Sequence, residues 1–302
     1  MRYMTTIRFI DAVARAGSIR KAAEELAITS TALNRRILAV EEELGAPIFE
    51  RLPRGVRLNS AGEIFIHHIR NQISDMERVR TQIADLAGER RGHVSIACSQ
   101  ALLPFFLPEQ IKAYRSEHPG VTFGVFLRDR AAAEEALVDH SADIALVFEP
   151  VRMAEFHTLI RVRQQLHAVF APDHPLAGRP VVRLRECLQY PVALPTIPYG
   201  VRHLLELALQ NSTLEMKPAI ESDSFEFLRS YAGSEKSVSF QIPIGLPDPG
   251  AAGRFASAPI DPADVPIGIL YVGQLRNRAL PVAAARFAAG VATVLASRYD
   301  VC

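Results

Sequence analysis

The 302-residue sequence predicts an α/β chain headed by a small, all-α-dominated N-terminal domain. Three observations lead there. From Thr5 to Leu44 apolar residues recur at helical spacing, interrupted twice by cap-type residues. From Ser60 to Ala87 one long helical pattern runs without proline, and beyond Gly88-Glu89-Arg90-Arg91-Gly92 strand-like runs alternate with helices to the end. The length exceeds what one hydrophobic core serves, so the expected division is 1–59, 60–89 and 90–302.

Helix one carries Ile7, Phe9, Ile10, Val13 and Ala14 and stops at Gly17, a suitable C-cap. Ser18 offers an N-cap for Ile19–Leu26, where Ala22, Ala23 and Leu26 form a small packing face. Ala27-Ile28 makes the turn, Thr29 caps a third helix, and both cap residues, Ser18 and Thr29, are expected among the DNA contacts. On that helix Leu33, Ile37, Val40 and Leu44 recur at steps of four, three and four, a core-facing stripe. At about 100° per residue the opposite face carries Thr31, Arg35 and Leu38, flanked by Ser30 and Asn34, with Arg36 beside them. Hydroxyl, amide and guanidinium groups on one short face suit base edges: arginine pairs with guanine, asparagine with adenine, serine or threonine with either. Pro47–Arg51 and Val56–Leu58 read as two short strands around Pro53-Arg54-Gly55, a wing whose Arg51, Arg54 and Arg57 reach the phosphate backbone. A polar face opposite an apolar stripe is by itself ordinary for a surface helix, but three capped helices followed by a basic wing lead to the expectation of a winged helix-turn-helix that binds double-stranded DNA.

Ser60-x-x-Glu63 is a capping-box pattern opening the long helix. Ile64, Ile66, His67, Ile69, Ile73, Met76, Val79, Ile83 and Leu86 mark an apolar seam along it. At about 1.5 Å per residue such a helix spans roughly 40 Å, more than a sixty-residue head can cover, so the seam calls for a partner. A second copy makes a dimer that presents two reading heads to a two-fold operator; a strut packed on its own C-terminal domain is the other reading.

Beyond it, strands are predicted at Val94–Ala97, Val121–Leu127, Ile144–Val147, His167–Phe170, Val192–Leu194, Val238–Phe240 and Ile267–Val272. Helices are predicted at Leu102–Ser116, Ala131–Val138, Val201–Gln210, Ser224–Ala232 and Pro281–Ser297. Net charge is +1, divided mildly: residues 1–92 hold 15 Lys/Arg against 12 Asp/Glu, the remainder 19 against 21. Charge alone therefore does not argue for nucleic acid. No apolar run approaches the ~20 residues of a membrane span, and the N-terminus is broken by charge before a signal core, so the chain is expected in the cytoplasm. Cys98, Cys187 and Cys302 match no metal pattern, and no cofactor is expected.

The stretch Phe9-x3-Val13-x3-Gly17-Ser18-Ile19-x2-Ala22-Ala23-x2-Leu26 resembles the opening of the LysR-type transcriptional regulators. So do Ala32-Leu33-x-Arg35-Arg36-Ile37-x3-Glu41-x2-Leu44-Gly45-x-Pro47-Ile48-Phe49-x-Arg51 and Arg57-Leu58-Asn59-x-Ala61-Gly62. Ser30 stands where that family often has glutamine, so operator preference does not carry over. The resemblance implies a linker helix that dimerises, dimers or tetramers in solution, and a C-terminal effector domain of two α/β subdomains similar to periplasmic solute-binding proteins. Subdomain I is then about 91–164 with 269–302, and subdomain II about 165–268. Asp173-His174-Pro175-Leu176 and Ala279-Leu280-Pro281-x4-Arg286-Phe287 fit that pattern, whereas Ser234–Phe240 departs from it.

Ligands of open α/β sheets lie beyond the carboxyl ends of strands, near helix N-termini. By that rule Ser99, Gln100, Ala101, Phe148 and Glu149 reach the cleft from subdomain I, and Thr196, Ile197, Tyr199, Ser222, Asp223 and Ser224 from subdomain II. Hydroxyls, free backbone N–H groups and an aromatic wall suit a small organic acid, although loop hydroxyls also serve simply as helix caps. The expected function is sequence-specific regulation of transcription switched by an effector. A constitutive regulator with a vestigial cleft, and a small-molecule binding protein or enzyme, stay open as alternatives; no nucleophile elbow, phosphate loop or metal cluster favours the enzyme.

Overall fold

In a computed structural model, residues 2–86, 92–210, 212–247 and 255–302 are described. The chain divides into two compact units, Met1–Ile83 and Ala84–Cys302.

The first unit is built from α1 (Arg2–Ala16), α2 (Ile19–Glu25), α3 (Ser30–Leu44), the hairpin β1 (Phe49–Leu52) and β2 (Gly55–Leu58), and most of α4 (Ser60–Leu86). Ile7, Ile10 and Val13 of α1, Ala22 and Ala23 of α2, Leu33 and Ile37 of α3 and Ile48 before the wing form one buried cluster. Gly17 ends α1 at φ +61°, where its N–H donates to the Val13 carbonyl at 3.0 Å. Its own carbonyl accepts from the Val56 N–H at 2.9 Å, which pins the wing to the α1–α2 turn. Gly55 sits at φ +143° against that carbonyl; a Cβ there would lie 2.3 Å from the Gly17 oxygen.

Three expectations change here. Leu44 lies on the predicted stripe but is 47% exposed, because the last turn of α3 extends beyond the core that covers Leu33 and Ile37. The cap of α4 is Asn59, one residue earlier than the Ser60 box: its Oδ1 accepts from Gly62 N at 2.8 Å, and its Nδ2 donates to the Pro47 carbonyl at 2.9 Å. The seam of α4 is two stripes. Ile66, Ile69 and Ile73 pack into the head core, while Ile64, Met76, Val79 and Ile83 are exposed. Arg70 Nε reaches Asp11 Oδ1 at 2.7 Å and Tyr3 bonds Gln72, so α1 holds the first half of α4. The breaker at 88–91 and the side chain of Leu86 lie outside the described residues.

The second unit holds β3 (Gly92–Cys98), α5 (Phe106–Glu117), β4 (Val121–Leu127), α6 (Arg130–Val138), β5 (Ile144–Phe148) and β6 (Phe156–Gln164). It continues with β7 (His167–Phe170), α7 (Leu184–Cys187), β8 (Val192–Pro195), α8 (Gly200–Leu209), β9 (Pro218–Ser222), α9 (Phe225–Ser234), β10 (Val238–Gln241), β11 (Ala256–Pro259), β12 (Gly268–Leu275) and α10 (Val282–Arg298). These make two five-stranded sheets, ordered β4-β3-β5-β12-β6 and β11-β7-β10-β8-β9. In the first, β3 is parallel to β4 and β5 while β12 runs antiparallel to β5 and β6. In the second, β8 is parallel to β9 and β10, and β7 is antiparallel to β10 and β11. The chain passes from the first sheet to the second between Gln164 and His167 and returns between Pro259 and Gly268, so two crossings join the two lobes. The helix expected from Leu102 begins at Phe106, after a separate 3₁₀ turn over Gln100–Leu102, because Pro104 lacks the N–H that a continuous helix needs. Cys98 and Cys187 are buried among apolar side chains, and burial pushes both thiols up to about 12.

Candidate functional site

The outer surface of α3 is polar and exposed. Thr29 caps it, with Oγ1 accepting from Ala32 N at 3.2 Å, and Ser18 caps α2 in the same way through Lys21 N at 3.4 Å. Ser30, Thr31, Arg35 and Leu38 are exposed, with Leu33 and Ile37 buried behind them. Arg54 is exposed at the tip of the hairpin.

Four side chains of this group are already engaged. Asn34 Oδ1 accepts from Arg51 Nη2 at 2.9 Å, so its carbonyl is not open for the bidentate adenine contact that asparagine ordinarily makes. Arg57 pairs with Glu50 across the hairpin at 2.8 Å; both groups are exposed, and such a pair yields readily to a phosphate. The Arg36 guanidinium lies over the Phe9 ring, 5.0 Å from its centroid, and thus toward α1 and not the reading face. Glu41 entered the sequence reading only as a motif position, without a role: its Oε1 accepts from Ile48 N at 2.8 Å and Phe49 N at 3.3 Å, fixing where the wing starts relative to α3.

Between the lobes of the second unit lies an open cleft of about 650 Å³. Leu127, Arg128, Asp129 and Ala132 line it from one lobe, and Thr196, Pro198, Tyr199, Glu221, Ser222 and Asp223 from the other. Next to it is an enclosed void of about 10 Å³, bordered by Ser99, Ala101, Phe148, Arg128, Arg130 and Tyr199 among others. That is at most the space of one water. Thr196, Tyr199 and Ser222 therefore line the cleft, whereas Ser99, Ala101 and Phe148 line only the closed void.

Of the remaining predicted residues, Gln100, Glu149 and Ser224 make hydrogen bonds within the fold. Gln100 is buried with its amide saturated: Oε1 accepts from Phe225 N at 2.8 Å, and Nε2 donates to Tyr199 Oη at 3.1 Å and to the Asp223 carbonyl. It bridges the lobes, and both of its N–H donors are taken. Glu149, at φ +53°, turns its carboxylate back onto Ile269 N at 2.7 Å. Ile197 is 69% exposed and borders neither space. Ser224 caps α9 through Phe227 N at 3.2 Å, and Asp129 caps α6 through Ala131 N and Ala132 N, both at 2.9 Å. The N–H groups of Phe225 and Phe227, expected to be free at the start of α9, are thus already paired. Arg128, Asp129 and Ala132 were missed, although the strand-end rule applied to β4 as to β3 and β5 points straight at Arg128. Its N–H donates to the Cys98 carbonyl at 3.0 Å, and its Nη1 to the Leu127 carbonyl at 2.8 Å.

Two family models match the chain: the bacterial regulatory helix-turn-helix protein of the lysR family over residues 4–63, and the LysR substrate binding domain over residues 87–296. A RuBisCO operon transcriptional regulator of Allochromatium vinosum is 28% identical over 200 residues, a match that spans 66% of this chain and 66% of that protein. Among solved structures, a variant of full-length OxyR from Pseudomonas aeruginosa superposes with a TM-score of 0.74 at 19% identity, covering 95% of this chain and 94% of that one. Full-length CbnR complexed with its target DNA superposes at 0.54 with 19% identity, covering 95% and 98%. Among the described residues no helix is long and apolar enough to cross a membrane. With a reading head and a two-lobed cleft each matched by its own model, the chain belongs to the LysR family, and it is a transcriptional regulator with a DNA-binding helix-turn-helix and an effector-binding domain, not an enzyme.

Proposed function

We propose that α3 enters the major groove of a two-fold operator, that Thr31 and Arg35 read base edges there, and that Arg51, Arg54 and Arg57 hold flanking phosphates. The observation that carries this reading is the exposure of Ser30, Thr31, Arg35 and Leu38 on one face of a helix whose other face is buried. A guanidinium in that position discriminates guanine from other bases by about 1–3 kcal/mol, whereas a wing arginine on a phosphate adds affinity without sequence preference. Arg35→Ala therefore narrows the gap between operator and unrelated duplex by about ten- to a hundredfold, measured by fluorescence anisotropy. Arg54→Ala weakens both duplexes alike and lowers the slope of log K against log salt by about 1. A selectivity unchanged by Arg35→Ala removes α3 as the reading element.

The same reading has the regulator act in the cytoplasm as a dimer through α4, with tetramers formed from such dimers. A small molecule carrying a carboxylate occupies the interlobe cleft and changes promoter binding. Arg128 in the cleft wall supports the carboxylate, and the exposed Met76, Val79 and Ile83 support the dimer. The switch is a population shift: the ligand favours one lobe arrangement, and the heads of the dimer follow. Loss of the effector response on Arg128→Gln, with DNA affinity retained, is the expected outcome.

A further inference from the structure

The interlobe cleft is unevenly charged. One guanidinium, Arg128, lines it with three carboxylates, Asp129, Glu221 and Asp223. Two of those carboxylates are engaged. Asp129 caps α6, and Glu221 Oε1 receives Arg202 Nη1 at 2.7 Å. Asp223 is different. Its backbone carbonyl is held by Gln100, which fixes the residue at the cleft wall, while its carboxylate has no hydrogen-bond or ion-pair partner among the described residues. Arg128 spends one nitrogen on the Leu127 carbonyl and keeps the rest of its donor fork available. The inner end of the cleft is shut, since the Gln100 bridge and a void of about 10 Å³ leave a ligand no room beyond Tyr199.

These facts bear on ligand charge. A dianionic acid satisfies Arg128 once and then brings its second charge toward Asp223 and its acidic neighbours, a like-charge juxtaposition that opposes binding. A plain amine leaves Arg128 without an anion. A molecule with a carboxylate and an ammonium group answers both. Resting on the effector-binding reading above, we infer that the effector is a zwitterion of the amino-acid class, its carboxylate taken by Arg128 and its ammonium by Asp223, with Gln100 closing the inner end of the cleft. Thr196, Ser222 and the Tyr199 hydroxyl remain to orient the rest of the molecule.

The test is isothermal titration of the full-length protein with each of the common L-amino acids. Every binder is then compared with its 2-oxo acid and its decarboxylated amine. The expected result is that at least one amino acid binds and that removing either charged group weakens it tenfold or more. Asp223→Asn weakens the amino acid tenfold or more and spares the 2-oxo acid, while Arg128→Gln weakens both. Asp223→Asn preserves shape and engages no described side chain, and an unchanged thermal unfolding profile shows that each variant is folded. A 2-oxo acid that binds as tightly as its amino acid, an Asp223→Asn variant with unaltered affinity, or silence from all the amino acids overturns the inference. A carboxylate without an ammonium group that binds and shifts operator occupancy overturns it as well, yet leaves the regulator reading standing, so the two failures are distinguishable.

Discussion

Arg51 and Asn34 lie 17 positions apart, yet one bond of 2.9 Å makes the wing and the reading helix a single unit. Pairings of this kind explain why the residue types of the head were legible in the sequence and their commitments were not. Helical spacing gives a face, and it says nothing of which neighbour across the fold claims a guanidinium first. Gln100 teaches the same lesson between the lobes: the strand-end rule put it beyond β3, and the opposite lobe took both ends of its amide. His167 carries a prediction at this scale. Burial pushes its imidazole down to about 4, from 6.5 in an open chain. The unfolded chain thus binds a proton that the folded one refuses between those two values. The stabilising contribution is full above about pH 6.5 and is lost as pH falls toward 4. Lowering pH from 7 to 5.5 costs about 1 kcal/mol through this residue, or roughly 2–4 °C in Tm for a unit of this size. Thermal scans at both pH values should show a smaller fall in Tm for His167→Gln than for the parent; equal falls remove His167 from the account.

At the scale of elements, β4 and β7 have the bounds their sequence pattern predicts, while β6, β9 and β11 were not read at all. Strand β6 alternates cleanly, with Val162 and Gln164 buried and Arg161 and Arg163 exposed, so its outward arginines disguise a period-two strand as a polar segment. Strands β9 and β11 are short, contain proline and owe their shape to the partners β8 and β7, information that local pattern does not hold. Helix α4 was legible in length and misread in its seam, because apolar spacing does not show that the first half is taken by the head while the second is not. Met76, Val79 and Ile83 recur at steps of three and four on that second half, all exposed. An apolar stripe on a long helix of this kind is the seam that a second helix covers. Val79→Asp with Ile83→Asp should convert the proposed dimer to a monomer in sedimentation, and should weaken binding to a two-half-site operator by tenfold or more while sparing a single half-site, since the linked second contact is what is lost. A variant that still sediments as a dimer, or that loses both binding modes equally, places the interface elsewhere.

For the whole molecule, the proposed function requires that a ligand between two lobes become a change at a promoter. The lobes of the second unit share two chain crossings and the Gln100 bridge, whose three hydrogen bonds join the turn after β3 to the start of α8 and α9. At about 1 kcal/mol net for each bond, the bridge favours the lobe arrangement described, closed at the inner end of the cleft, by roughly 2–3 kcal/mol, a factor of about thirty to over a hundred. On the proposed function, a bias of that size makes an arrangement opened at that end a minor state that ligand binding, or a single substitution, brings within reach. Gln100→Ala removes all three bonds at once, and the Phe225 amide then loses its acceptor. Its hydrogen exchange should accelerate by ten- to a hundredfold, whereas amides in the middle of β3 and β5 should keep their protection, because Ile96, Ala97, Ala145 and Leu146 are fully buried in the sheet and do not depend on the bridge. If the closed arrangement is the one that sets the spacing of the reading heads, operator affinity in Gln100→Ala moves in the direction that opening the cleft imposes and the effector's influence on it shrinks. A variant whose Phe225 amide accelerates while operator affinity and effector response stay at parental values separates lobe closure from DNA binding and ends the population-shift account. An unaltered Phe225 amide shows instead that the two chain crossings, not Gln100, hold the lobes together.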